Sequence, residues 1–87
     1  MQSTEYHIHV QPLRSSTSTD LAGAYRVFVP TQGTPDEMAS IAIESFHRAI
    51  PLSYPENYEI TVVDAQSGQE IVPSYSEVEK VFECKRL

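Results

Sequence analysis

Apolar and polar residues alternate from Tyr6 to Gln11, with Tyr6, Ile8 and Val10 on one side and His7, His9 and Gln11 on the other. A period of two is the signature of a half-buried strand, so residues 5–11 predict one. A second alternation follows in "AYRVFVP", where Tyr25, Val27 and Val29 share a face opposite Arg26 and Phe28. Pro30 ends that strand because proline cannot donate to a ladder. The polar, Ser/Thr-rich stretch between the two strands predicts a long loop, either an extended hairpin tip or a mobile arm.

The period then changes to that of a helix. Met38, Ala39, Ala42, Ile43, Phe46, Ala49 and Ile50 form one broad apolar stripe, while Ser40, Glu44, His47 and Arg48 take the remaining surface. Thr34 is positioned to cap this helix, Pro35 suits its first turn, and Glu37 completes a T-x-x-E capping box. Pro51 disfavours the helical conformation at Ile50 and predicts the stop. "YEITVVDA" is a third strand, with Tyr58, Ile60 and Val62 on one side. "QSGQ" is a turn into a short fourth strand, "EIVP". The tail reads two ways. Ser76 with Glu79 resembles a second capping box ahead of helically spaced Val78, Val81 and Phe82, but "KVFECKRL" also fits a strand with Phe82 and Cys84 on one face.

These elements predict one α+β domain over residues 1–87: a β-β-α-β-β antiparallel sheet, one main helix on one face, and a short C-terminal helix. A C-terminal strand, and with it a β-grasp arrangement, is the alternative. With the helix on the Tyr6/Tyr25/Val62 side, the face carrying His7, His9, Arg26, Phe28, Thr61 and Val63 points away from it. That face is mixed, and Phe28 and Val63 give it apolar ground that the tail or another molecule would cover.

Charge narrows the field of functions. Six Lys and Arg stand against twelve Asp and Glu, a net charge of −6. Proteins that bind nucleic acid directly neutralise phosphates with Lys and Arg, so this balance argues against it, and Phe28, Arg26 and His7 alone do not make an RNA-stacking face. Between residues 56 and 84 the acids Glu56, Glu59, Asp64, Glu70, Glu77, Glu79 and Glu83 face a single base, Lys80. A run so one-sided serves either solubility or the selection of a basic partner. The lone Cys84 allows no internal disulfide and fits a reducing compartment. The absence of a long apolar run or a signal-like start adds the expectation of a cytoplasmic protein with no membrane span.

Candidate chemistry is sparse. His7 and His9 supply two ligands from one strand face, whereas a zinc site needs three or four. His47 lies on a helix across the sheet. Ser15, Ser16 and Ser18 sit in a polar loop without a nucleophile elbow. Cys84 has Lys85 and Arg86 beside it, which would favour a thiolate. Three scattered glycines make no phosphate loop. The expectation is a protein with no catalytic residues, no metal and no cofactor. A small enzyme or metal protein built on His7, His9 and Cys84 remains a third reading.

The pattern "YHIHV … YRVFVPTQGTPDEMASIAIESFHRAI … YEITVVD" resembles small accessory proteins encoded by phages and plasmids, among them anti-CRISPR proteins. The resemblance lies in architecture and composition over residues 5–64 and transfers no functional residue. It implies a stoichiometric inhibitor that binds a nucleic-acid-handling host complex in the host cytoplasm. The acidic residues named above, with Phe28, are the expected contact surface for a basic protein partner. The alternative is a small homodimeric structural or assembly protein that pairs through the open sheet face around Phe28 and Val63.

Overall fold

A computed structural model describes residues 2–13, 22–31, 33–51, 57–73 and 78–87. Strand β1 runs Ser3–Pro12, β2 Gly23–Pro30, helix α1 Pro35–Ala49, β3 Tyr58–Asp64, β4 Glu70–Ile71 and β5 Cys84–Arg86. They form one helix and a five-stranded sheet of order β4-β3-β1-β2-β5 in which every pairing is antiparallel. The α+β class and the β-β-α-β-β order follow the sequence pattern. The tail does not follow the first reading of it. Residues 78–83 carry no helix, and Cys84–Arg86 make the strand of the second reading.

The alternation that predicts β1 also sets its place in the sheet. Its apolar face meets two equally apolar neighbours: Ile8 lies between Tyr25 and Val62, and Tyr6 pairs with Val27. A one-residue slip would turn all of these side chains to water, so the pattern locks the register. Tyr6, Ile8, Val10, Tyr25, Val27, Val29 and Val62 are buried, and from α1 they receive Met38, Ala39, Ala42 and Phe46. The Phe46 ring lies tilted against Tyr25 with centroids 5.1 Å apart, within the range where aromatic pairs attract.

Helix α1 starts as its sequence dictates. Thr34 holds an extended backbone, its hydroxyl accepts from the Glu37 N–H at 3.4 Å, and Pro35 opens the first turn. Gly33 adopts φ +72°, and the Glu37 carboxylate folds back over it where a Cβ would stand. The buried stripe is rotated from the predicted one. Ala49 is exposed, whereas Ser40 and Ser45 are buried, each returning its hydroxyl to the carbonyl four residues back, Asp36 and Ile41. That local bond satisfies the hydroxyl and lets a serine occupy a core face.

The β3–β4 connection is an Asx turn. The Asp64 carboxylate accepts from the N–H groups of Gln66 and Ser67, and Gly68 takes φ +75°. The long loop between β1 and β2, including Ser15, Ser16 and Ser18, falls outside the described residues, as does Ser76 of the second capping box.

The tail returns along α1. The Phe82 N–H donates to Ser45 Oγ at 3.0 Å, and Arg48 reaches the Val78 carbonyl at 3.4 Å. Strand β5 then extends the sheet beside β2, with Arg86 opposite Tyr25 and Cys84 opposite Val27. Among the described residues, the tail lies beside the helix or at the sheet edge and leaves the outer face of the sheet open.

Candidate functional site

Register makes the outer face a continuous surface. His7 faces Arg26 on one side and Val63 on the other; Arg26 in turn faces Lys85, and Val63 faces Glu70. One row therefore crosses all five strands: Glu70, Val63, His7, Arg26, Lys85. On one side of it lies Glu5 opposite Phe28, and on the other His9 opposite Thr61. The six residues expected to point away from the helix do so.

Phe28 stands out on this surface, a large aromatic ring 48% exposed near the end of β2. The Arg26 guanidinium lies over it at 5.2 Å from the ring centroid, in cation–π range. Phe28 lines two depressions. One, of about 240 Å³, is shared with Arg26, Phe82, Glu83 and Lys85. The other, of about 390 Å³, is shared with Ser3, Glu5, His7, Ala65 and Gln66.

The histidines have a local explanation. His7 Nε2 lies 2.6 Å from the Glu5 carboxylate, two residues away on the same strand face, and the His7 and His9 rings meet edge-on at 6.4 Å. Among the described residues, no three His, Cys, Asp or Glu side chains gather as a metal site would require. His47 is across the sheet, its ring against Phe46.

Cys84 departs from its sequence reading. It faces the helix side opposite Val27, whereas Lys85 points to the outer face. Burial pushes its thiol above the ordinary range, which disfavours the thiolate that the flanking Lys85 and Arg86 suggested.

Among the described residues, the acids are spread over the sheet rather than gathered in one patch. Glu59 and Glu70 are exposed on the outer side of β3 and β4, at one edge of the sheet. Glu83 is beside β5 at the opposite edge, about 19 Å away at ~4.8 Å per strand. It contacts Lys85 at 3.7 Å. Glu79 is exposed on the tail. Asp64 is committed to its turn and faces the helix side, near Tyr6. Glu56 and Glu77 fall outside the described residues. Lys85 and Glu5 belong to the site but escaped sequence reasoning. Only the pairing of β5 with β2 and of Glu5 with Phe28 reveals them.

Comparison of the chain with protein-family models, with curated proteins and with solved structures finds no match. No helix among the described residues is long and apolar enough to cross a membrane.

Proposed function

We propose that this is a non-catalytic binding protein whose contact surface is the outer face of the sheet, centred on Phe28. The observation that carries this reading is the exposed ring itself, held by Arg26 between two depressions on a rigid five-stranded platform. Aromatic residues in such positions are the usual anchors of protein interfaces, ringed by polar groups that exclude water. Here Glu5 and Glu83 border the two depressions, and Glu59 and Glu70 lie farther out on the same face; these acids favour a partner with basic residues. In the finer form that the anti-CRISPR-like resemblance implies, the partner is a nucleic-acid-handling host complex, and the protein inhibits it by occupying its basic surface.

Purified protein and its Phe28→Ser, Glu59→Lys and Glu70→Lys variants would be compared for partner capture over a salt series, with Ala49→Ser and Glu44→Lys on helix α1 as controls off this face. The reading expects the face variants to lose capture and the controls to keep it. Equal behaviour of the two sets would refute it.

A homodimer is the second reading. One observation favours it: the face carries Glu70 and Glu5 towards one edge and Arg26 and Lys85 towards the other, so a twofold copy would set opposite charges against each other. Sedimentation equilibrium separates the two, because only the dimer raises the mass of the isolated protein.

A further inference from the structure

We propose that the depression between β2 and β5 is a binding site for a carboxylate carried on a small apolar body. This goes beyond the docking reading and does not depend on who the partner is.

Arg26 holds an orphaned donor. Its Nε is shut off from solvent and has no hydrogen-bond partner. Its guanidinium contacts the Phe28 ring, and among the described residues no carboxylate lies within ion-pair distance of it. Buried donors are nearly always paired, and an orphan of this kind calls for an explanation. Lys85 sits opposite Arg26 in the β2–β5 register, so an ammonium and a guanidinium line the same small space. Two cations placed side by side on a chain of net charge −6 are out of keeping with the rest of the molecule. An incoming oxyanion would meet the outer edge of the guanidinium and the Lys85 ammonium, and a small turn of the Arg26 side chain would bring Nε to the acceptor that the fold does not supply.

The choice of oxyanion follows from size, walls and field. The depression measures about 240 Å³, below the ~300 Å³ at which sites for drug-sized ligands begin. Phe28 and Phe82 give it two aromatic walls, which suit a short hydrocarbon body and leave a phosphate's outer oxygens without donors. The protein's negative field opposes a dianion more than a monoanion. Glu83 borders the site, and Lys85 draws its carboxylate aside at 3.7 Å in an exposed and weak pair. Glu83 therefore lowers affinity without closing the site.

Two sources offer this chemistry: a free organic acid, and the terminal carboxylate of a peptide with an apolar last residue. The test uses the full chain and follows the Arg26 Nε–Hε signal by NMR while butyrate, 3-phenylpropionate, or a short peptide ending in Leu is added. Inorganic phosphate, sodium chloride of equal ionic strength and the C-terminally amidated peptide serve as controls. The proposal expects saturable shifts at Arg26, Phe28 and Lys85 with the carboxylates, at least tenfold weaker binding of phosphate, and no saturation with chloride. Arg26→Gln should abolish binding read at Phe28 and Lys85, and Glu83→Gln should tighten it several-fold. Saturation by butyrate or phenylpropionate assigns the site to free acids. Saturation by the peptide alone, lost on amidation, assigns it to a chain terminus. Non-saturating shifts for every carboxylate, or equal binding by folded Arg26→Gln, would overturn the proposal. Because none of these probes is a protein partner, its failure would leave the docking reading to its own test.

Discussion

The backbone N–H of Phe82 donates to the Ser45 hydroxyl at 3.0 Å, tying the C-terminal segment to the middle of helix α1. The Ser45 hydroxyl itself donates to the Ile41 carbonyl at 2.7 Å, so one buried serine joins helix and tail. Ser45→Ala should cost about 1 kcal/mol or more, because it orphans the Phe82 donor. Exchange of the Phe82 and β5 amides should speed up while the β1 amides stay protected. The half-buried Cys84 thiol, whose pKa burial raises, should react faster with a disulfide reagent in the same variant. Unchanged tail exchange would mean that Ser45 does not hold the tail.

The start of α1 gives a graded set of stability changes. Thr34→Ala removes the cap oxygen and should cost about 0.5–2 kcal/mol. Phe46→Ala empties a fully buried site and should cost roughly 3–5 kcal/mol. Gly33→Ala should also destabilise, since φ +72° is strained for alanine and the new Cβ meets the Glu37 side chain. Urea unfolding midpoints of the three variants test the order, and equal, small losses would contradict the placement of the helix.

Tyr6 makes a pH prediction. Burial, and secondarily the nearby Asp64 charge, raise its phenol above its ordinary value of 10.0. A raised acid pKa favours the protonated form in the fold, so this contribution is complete below pH 10.0. As pH rises past that point the unfolded chain releases its proton first, and stability falls until the folded pKa is passed. Unfolding free energies of wild type and Tyr6→Phe, measured from pH 8 to 11, should diverge above pH 10 with the wild type losing more. Parallel curves would show that Tyr6 does not contribute to the alkaline loss.

Local signals made much of the fold legible in the sequence. The alternation of Tyr6, Ile8 and Val10 and the Thr34–Glu37 start each encode geometry within a few residues. Ser45 was not legible, since its burial depends on a bond to its own helix and on a tail 37 residues away. The tail itself offers a capping box and an alternating run over the same few residues. Pairing of Tyr25 with Arg86 and Val27 with Cys84 makes Cys84–Arg86 a strand. For the same reason the site was half visible. Phe28, Arg26 and His7 follow from strand alternation, whereas Lys85 joins them only through β5. Acids that follow one another in the sequence, such as Asp64 and Glu70, are divided between the two faces of the sheet, a separation that only the pairing of β3 with β4 reveals.

The central claim is that the open face around Phe28 is where this protein meets its partner, and site-specific photocrosslinking tests it most directly. p-Benzoylphenylalanine would replace Phe28 in one variant, Ala49 in a second and Glu44 in a third, each expressed in the native host and irradiated. The account predicts one discrete heavier adduct from position 28 and none from positions 49 and 44. An adduct of twice the chain mass would assign the face to a second copy. No adduct from position 28, with a discrete one from position 44 on the helix side, would contradict the account.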